Sequence, residues 1–298
     1  MNVINELSAR ATVALLRLFH WLPSALQWRV GRGFGQLVFW LVGSRRKVVL
    51  RNLAACFPKL SQRERTQLAQ RHFRALGAAL LDFGNLWWAD ESDLRARHAL
   101  LGRQHLDALL SAGRPVIVLG LHCVGIEAAG VRLAMDYRMT AFYTRQSNPA
   151  MDERLRRARN RFIAPNLLKK DEGGRALVRS IKSGAPVYYL PDMDYGPRDS
   201  IFVPFFGVPA ATITGLSRLA RLAGAAIVPC VTRQLPDGQG YETRLGEPWQ
   251  NFPSGDDAAD ARALNAWLES VIQTMPEQYY WVHKRFKTRP PGEAGFYD

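Results

Sequence analysis

The residues best placed for chemistry are a histidine and a glutamate five positions apart, His122 and Glu127. His122 follows the apolar run 116–121, which predicts a buried strand, and Gly125 would turn the chain into a helix over about 126–135. A carboxylate on the first turn of that helix could bond the imidazole, fix its tautomer and make it a better general base. The pattern indicates acid–base chemistry, but one such pair also occurs by chance and needs support from the rest of the chain.

A second interpretation of the same residues uses the thiol of Cys123 as a nucleophile, as in a thiol hydrolase. Neighbouring side chains at a strand end point in opposite directions, so His122 would be badly placed to activate this thiol. We therefore expect a buried structural cysteine. The remaining cysteines, Cys56 and Cys230, lie far away and form no C-x-x-C pair. This spacing argues against a disulfide framework or a zinc ribbon and favours a reducing compartment.

A pair of aspartates, Asp192 and Asp194, follows a second apolar run at 187–190. If both runs are strands of one parallel sheet, these carboxylates share the sheet edge at which His122 lies. They could be metal ligands, but no third acid or histidine stands nearby at metal spacing. Aspartate before Gly-Pro commonly caps a turn, so no metal site is predicted.

Five arginines crowd a predicted helix over residues 154–161. They are Arg154, Arg156, Arg157, Arg159 and Arg161. Such a run is usually a solvated helix face, yet guanidinium groups also match phosphate oxygens in shape and charge. Both interpretations stay open on the sequence alone.

The positions of helices and strands follow from apolar periodicity and from glycines. Amphipathic patterns predict a long helix over residues 62–88 and another over about 261–274. Gly113, Gly184 and Gly224 each precede a short apolar run, so each predicts a helix end followed by a buried strand. Buried strands separated by helices predict an α/β domain with a mostly parallel central sheet flanked by helices.

The composition narrows the class of protein. Of 298 residues, 47% are hydrophobic and 22% are charged, which excludes wholesale disorder. Lys and Arg number 40 against 26 Asp and Glu, a net charge of +14. That surplus predicts an anionic partner, which could be nucleic acid, an anionic membrane surface or an acidic substrate. The sequence contains no nucleic-acid-binding motif, so a basic binding protein is a weaker interpretation than an enzyme.

The segment 1–45 is basic and aromatic, and it predicts a membrane anchor ahead of a catalytic domain, 46–298. Arg10 and Arg17 fall on one helical face among apolar residues, with Trp21 at the boundary, as in helices that lie in a bilayer interface. No apolar run reaches the roughly 18 to 20 residues of a simple span, and Arg17 interrupts what would be the apolar core of a signal peptide. The alternatives are a pair of amphipathic helices packed on the domain and a short, tilted span.

Several phrases of the sequence resemble the late acyltransferases of lipid A biosynthesis, the lauroyl and myristoyl transferases of the lysophospholipid acyltransferase-like superfamily. The phrases are the H-x-x-x-x-E box at 122–127, PDMDYGPR at 191–198, FVPFFG at 202–207, EQYYWVHKRFKTRP at 277–290, and the early RNL at 51–53 and CFP at 56–58. The C-terminal phrase is much more specific than the short box, and the similarity covers almost the whole chain.

The resemblance implies a glycerol-3-phosphate acyltransferase-like fold and an enzyme on the cytoplasmic face of the bacterial inner membrane. Such enzymes transfer a fatty acyl chain from acyl carrier protein to a hydroxyl of a hydroxyacyl chain on a lipid A precursor. It implies that His122 and Glu127 are catalytic, and we take Arg159, Asp192 and Arg198 as candidate substrate-binding residues. Neither a metal nor another cofactor is implied, and the anionic acceptor and acidic carrier account for the charge without nucleic acid. Another membrane glycolipid or a glycerophospholipid is the nearest alternative acceptor.

Overall fold

The structure is a computed structural model that describes residues 3–143, 145–146, 148–163, 166–169 and 173–298. Its helices are α1 (Val3–His20), α2 (Ser24–Leu41), α3 (Gly43–Cys56), α4 (Gln62–Trp88), α5 (Glu91–Arg97), α6 (Arg103–Ser111), α7 (Ile126–Ala134), α8 (Pro149–Arg159), α9 (Gly173–Lys182), α10 (Gly215–Ala223) and α11 (Asp257–Thr274). Its strands are β1 (His98–Leu101), β2 (Val116–Leu119), β3 (Thr140–Tyr143), β4 (Asn166–Lys169), β5 (Val187–Tyr189), β6 (Ser200–Phe205), β7 (Val208–Ile213), β8 (Ala226–Gln234) and β9 (Tyr241–Leu245).

A seven-stranded sheet forms the centre of the protein, in the order β1-β9-β8-β2-β5-β3-β4. Neighbouring strands run parallel except β8 and β9, which are antiparallel. β2 lies between β8 and β5 and is wholly buried, which explains its uninterrupted apolar sequence. The predicted α/β domain with a mostly parallel sheet is confirmed. β6 and β7 form a separate antiparallel hairpin.

Helices cover both faces of this sheet. Ile117 and Leu119 of β2 pack into a core that includes α9, α10 and α11. Val116 and Val118 of the same strand pack on the opposite face, against α6 and α7. Alternate residues of one strand therefore serve two cores. With both faces covered, the ends of the strands are the places where polar side chains can gather into a site.

The long helix α4 and the glycines predicted to end helices lie where the sequence predicts them. The helix predicted over 62–88 matches α4 at both bounds and begins with a capping box. Gly113, Gly184 and Gly224 have φ angles of 65°, 87° and 63°, the left-handed conformation that ends helices without a steric penalty. Each is followed by a buried strand, β2, β5 and β8 in turn.

The helices α1 and α2 pack against the long helix α4. α2 approaches so closely that a Cβ at Gly35 would lie 1.9 Å from the carbonyl oxygen of Phe73. A Cβ at Gly77 of α4 would lie 2.4 Å from the carbonyl oxygen of Gly31, so only glycine fits at these contacts. One side of the N-terminal helices is therefore packed on the rest of the protein, as in the alternative interpretation of this segment.

The other side of α1 and α2, with a residue between them and the residue after α2, exposes many large apolar side chains. They are Leu7, Leu15, Leu18, Trp21, Leu26, Val30, Phe34, Leu37, Trp40, Leu41 and Val42. In the part of the chain that the structure describes, no helix is long and apolar enough to cross a membrane. Membrane anchoring and a domain boundary at residue 45 stay predictions.

Candidate active site

His122 and Asp192 lie side by side at the carboxyl edge of the sheet, because they follow the parallel neighbours β2 and β5. The Nδ1 atom of His122 lies 2.7 Å from Oδ1 of Asp192, and the backbone N–H of His122 donates to Oδ2 at 2.9 Å. An ionised carboxylate can only accept, so Nδ1 carries the proton and Nε2 is left as the basic nitrogen. Among the described residues, none bonds Nε2. The structure thus presents an oriented imidazole.

Asp192 stays charged although it has no exposed surface. Burial alone would raise the pKa of this carboxyl group, but the charge of His122 and its two hydrogen bonds outweigh burial and hold the pKa below its usual value. The His122 side chain is 21% exposed, so an accessible imidazole ring is hydrogen-bonded to a buried anion. This arrangement suits a general base whose imidazolium form is stabilised from behind.

The C-terminal segment holds the residues around His122 in place. The backbone N–H of Tyr280 donates to the carbonyl of His122 at 3.1 Å, and that of Val124 donates to the carbonyl of Gln278 at 2.9 Å. Tyr279 pairs with Cys123 in an antiparallel bridge between these two bonds. The most specific phrase of the sequence therefore fixes the backbone that carries the imidazole.

The phrases far apart in the sequence meet around this segment. The side-chain amide of Asn52 donates to the carbonyls of Trp281 and His283, each at 2.8 Å. Asp194 accepts from the backbone N–H of Gly196 at 2.9 Å and from the hydroxyl of Thr288 at 2.7 Å. Asp194 thus caps a turn and ties it to the C-terminal segment. Among the described residues, no three His, Cys, Asp or Glu side chains gather closely enough to hold a metal ion.

Glu127 has a different partner from the one we expected. Its carboxylate does not bond His122; Oε2 accepts from Nε of Arg159 at 3.2 Å, and Oε1 accepts from Nη2 of the same guanidinium. Asp192, in turn, has both oxygens engaged by His122 and no exposed surface for a substrate. The expectation that Glu127 bonds the imidazole and the expectation that Asp192 binds substrate are both corrected, for one physical reason. The strand order places the end of β5 beside the end of β2, so the Asp192 carboxylate reaches the imidazole there.

Cys123 is a structural residue. Its thiol is 2% exposed and donates to the carbonyl of Thr232 at 3.4 Å. Burial raises the pKa of the thiol to about 12, so it is protonated at neutral pH and is a poor nucleophile. The structure therefore removes the basis for a thiol hydrolase.

A cavity of about 1220 Å³ opens beside His122. Its apolar walls come from α7, β3, β4, α9, β5, β7 and α10 and from residues next to them, and include Ile126, Val131, Met139, Phe142, Leu167, Leu177, Leu190, Ile213 and Leu219. Its basic lining residues are Arg159, Arg175, Arg179, Lys182, Arg198 and Arg218. A space of this size with apolar walls and several cations suits an amphipathic, anionic ligand.

The arginine run of α8 divides into different roles. Arg156 and Arg157 both pair with Glu153, and Arg161 donates to backbone carbonyls at the end of α4 and just beyond it. Of the five arginines in this run, only Arg159 lines the cavity. The solvated-face interpretation thus fits most of the run, and the candidate substrate-binding residues Arg159 and Arg198 both border the cavity.

Sequence reasoning missed two sets of side chains. The backbone of 278–280 supports His122, and its only signal was the specificity of the C-terminal phrase. Arg175, Arg179 and Lys182 line the cavity from α9, and their signal was a spacing of four and three residues, which puts them on one helical face.

Comparison with known proteins identifies the family. The model of the bacterial lipid A biosynthesis acyltransferase family matches residues 3–288. The chain therefore belongs to this family and is an acyltransferase. A lipid A biosynthesis lauroyltransferase of Escherichia coli (strain K12) is 35% identical over 96% of this chain and 93% of its own length.

Two other relatives from Escherichia coli (strain K12) are named for different acyl chains. A lipid A biosynthesis palmitoleoyltransferase is 32% identical over 96% of this chain and 92% of its own. A lipid A biosynthesis myristoyltransferase is 30% identical over 89% and 81% of the two chains. Similarity at this level therefore does not by itself fix the acyl chain.

Proposed function

We propose that this protein transfers a fatty acyl chain from acyl carrier protein to a hydroxyl of a hydroxyacyl chain on a lipid A precursor. The observation that carries the proposal is the His122–Asp192 pair beside the large cavity. The apolar walls suit acyl chains, and Arg198 in the cavity lining, a candidate substrate-binding residue, suits an acceptor that carries phosphate. The names of the relatives support lipid A as the acceptor class.

His122 acts as the general base in this mechanism. Its Nε2 takes the proton of the acceptor hydroxyl while the hydroxyl oxygen attacks the thioester carbonyl. Asp192 stabilises the imidazolium that forms, at 2.7 Å from Nδ1. When the tetrahedral intermediate collapses, the carbon–sulfur bond breaks and the imidazolium returns its proton to the departing thiolate. The acyl chain moves directly to the acceptor, with no acyl-enzyme intermediate.

Arg159 stabilises the oxyanion, and Glu127 positions Arg159. Glu127 occupies Nε and Nη2 of the guanidinium, which leaves the hydrogens of Nη1 to donate elsewhere. Both side chains border the cavity that contains His122. A preorganised donor at the developing oxyanion is commonly a large contribution to catalysis. Glu127 thus belongs to the machinery through Arg159 and not through the imidazole.

The exposed apolar side of α1 and α2 binds the cytoplasmic surface of the bacterial inner membrane in this proposal. Leu18, Trp21, Trp40 and Leu41 are between 60% and 75% exposed, which is costly in water and typical of helices that lie in a bilayer interface. The lipid acceptor would then reach the cavity from the membrane to which the enzyme is attached.

The membrane contact is tested by sedimentation with vesicles that contain anionic phospholipid. The variant Leu18→Gln/Trp21→Gln/Trp40→Gln should stay largely in the supernatant. A matched variant at exposed apolar positions elsewhere, Leu101→Gln/Phe202→Gln, should sediment like the unchanged protein. Equal sedimentation of the two variants would contradict the proposal.

The reaction is tested with purified enzyme, an acylated carrier protein and a purified lipid A precursor. His122→Ala should lower turnover by about 10²- to 10⁴-fold, the usual contribution of a positioned general base. His105→Ala, on α6 and outside the cavity, is the control and should keep its turnover. Mass spectrometry of lipid A from cells with and without the gene would identify the acyl chain and its position. Unchanged lipid A would instead favour another glycolipid or a glycerophospholipid as acceptor.

A further inference from the structure

The exposed face of α9 carries a stripe of three cations, Arg175, Arg179 and Lys182, which we call the α9 stripe. Their spacing of four and three residues places them on one side of the helix. All three are exposed, and all three line the cavity that contains His122. We infer that the α9 stripe is the docking surface for the acidic carrier protein that delivers the acyl chain. The inference rests on the proposed function, since it presumes a carrier-bound donor.

The α9 stripe differs from Arg159 and Arg218, which line the same cavity, in having no acidic partner among the described residues. Arg159 is paired with Glu127, and Arg218 of α10 lies 2.8 Å from Asp199. Like charges one helical turn apart destabilise a helix when nothing neutralises them. A stripe that has no acidic partner within the described part of the chain is therefore suited to an external anion.

A protein fits this surface better than a membrane does. Most of the exposed large apolar residues in the described chain lie on α1 and α2, between them or immediately after α2, and tryptophans are among them. On α10, which packs against α9, Leu222 is 61% exposed and lines the same cavity as the α9 stripe. A bilayer contact needs a broad apolar face. A row of cations with one leucine beside it matches an acidic helical surface with one apolar contact.

The position of the stripe also fits delivery of a tethered chain. Val178 lies between the cations on α9 and lines the same cavity, as does Leu222. A carrier held by the α9 stripe would therefore place the base of its thioester arm at the cavity rim. The arm could then enter along apolar side chains toward His122 while the carrier stays outside.

The test is steady-state kinetics of the full-length enzyme with separately varied carrier-bound donor and lipid acceptor. In the variant Arg175→Glu/Arg179→Glu/Lys182→Glu, the KM for the acylated carrier should rise about tenfold or more, because charge steering changes association rates by at least that factor. The KM for the acceptor and the turnover at saturation should not change. The dependence of the carrier KM on salt should also become weaker than in the unchanged enzyme.

The control is Arg114→Glu/Arg233→Glu/Arg262→Glu, which changes the net charge equally. Arg114 precedes β2 at the end of the sheet opposite His122, Arg233 lies near the end of β8 and Arg262 lies on α11; none of the three lines the cavity. This variant should keep the carrier KM of the unchanged enzyme. A direct titration of the acylated carrier into both variants gives the same comparison without turnover.

The outcomes separate the inference from the proposed function. If the unchanged enzyme transfers no acyl chain from the carrier, the proposed function fails and the docking surface fails with it. If transfer occurs but the α9 variant and the control have equal carrier KM values, only the docking surface is wrong. A rise in the KM for the acceptor alone would assign the stripe to the lipid phosphates, and loss of binding to anionic vesicles alone would assign it to the membrane. Each of those two results overturns the inference.

Discussion

Asp192 and Glu127 are carboxylates that the site uses in different ways. Asp192 is completely buried and receives two hydrogen bonds from His122. Glu127 is 23% exposed and forms an ion pair with Arg159 across the cavity lining. The residue nearer to His122 in the sequence is thus not its partner. The comparison teaches that strand adjacency, and not the spacing of the H-x-x-x-x-E box, decides which acid orients the base.

Of the substitutions that test this comparison, Asp192→Asn is expected to have the largest effect on turnover. An amide at this position can donate to Nδ1 and favour the tautomer whose Nε2 carries the proton, so turnover should fall by about 10²- to 10⁴-fold. Asp194→Asn is the control, because that carboxylate caps a turn and bonds Thr288 instead. It should keep most of its turnover. Near-normal turnover in folded Asp192→Asn would break the assignment.

A smaller loss is expected when the second pair is broken. Glu127→Gln and Arg159→Gln should each lower turnover by about 10²- to 10³-fold, the usual cost of losing an oxyanion donor. The double variant should lose little more than either single one, because the two residues act as a unit. Combining Glu127→Gln with Asp192→Asn should instead multiply the two losses. Steady-state turnover of these four variants and of Asp192→Asn measures both couplings. If the losses from Glu127→Gln and Arg159→Gln multiplied, while those from Glu127→Gln and Asp192→Asn did not, Glu127 would act through the imidazole.

A buried ionisable group without a hydrogen-bond partner among the described residues should behave differently from Asp192. His98 is 0% exposed and neither ring nitrogen has a partner among the described residues. Burial lowers its pKa from 6.5 to about 4. The unfolded chain therefore binds a proton that the folded protein does not, so this group makes the free energy of unfolding fall as pH drops from about 6.5 to 4, with an integrated loss of about 1.4 kcal/mol per unit of pKa difference.

The measurement is denaturant unfolding across that pH range. His98→Phe should flatten the slope of unfolding free energy against pH, since phenylalanine binds no proton. Cys123→Ala, also a change at a buried residue, should leave the slope in this range unchanged, because the pKa of that thiol is raised to about 12. A slope in His98→Phe equal to that of the unchanged protein would show that His98 is protonated in the folded state.

The smallest effect on turnover is expected from Cys123→Ala. The thiol is buried and its pKa is raised to about 12, so its loss should cost about 1 kcal/mol of stability and little activity. Intact-protein mass spectrometry after incubation with the acyl donor alone should show no added acyl group. A stable thioester at Cys123 would replace direct transfer with a two-step route.

The sequence was sufficient to locate several of the helices and strands, but not to show which of them lie side by side. Apolar runs and joint glycines located β2, β5 and α4, because burial and a positive φ leave strong local signals. The pairing of His122 with Asp192 depends on β5 lying next to β2, and no local sequence pattern specifies the order of strands in a sheet. The same limit applies to the cavity, whose walls come from elements between residues 122 and 222.

For the N-terminal helices, too, the sequence indicated the helices but not what they pack against. Their composition indicated an amphipathic pair, and the structure shows one side packed on α4 and the other exposed. The close contact at Gly35 and Gly77 depends on two helices meeting at particular glycines. Periodicity gives the face of a helix, but the partner helix and the point of contact come from tertiary packing.

The most direct test of the central claim is the protonation pattern of the His122 ring. Nitrogen NMR of the enzyme with labelled histidine should show Nδ1 protonated and Nε2 unprotonated at a pH where the ring is neutral. Asp192→Asn should change this pattern, and Glu127→Gln should leave it as it is, because Asp192 bonds Nδ1 and Glu127 does not. His122→Asn assigns the signals. A ring that responds to Glu127→Gln but not to Asp192→Asn would contradict the account.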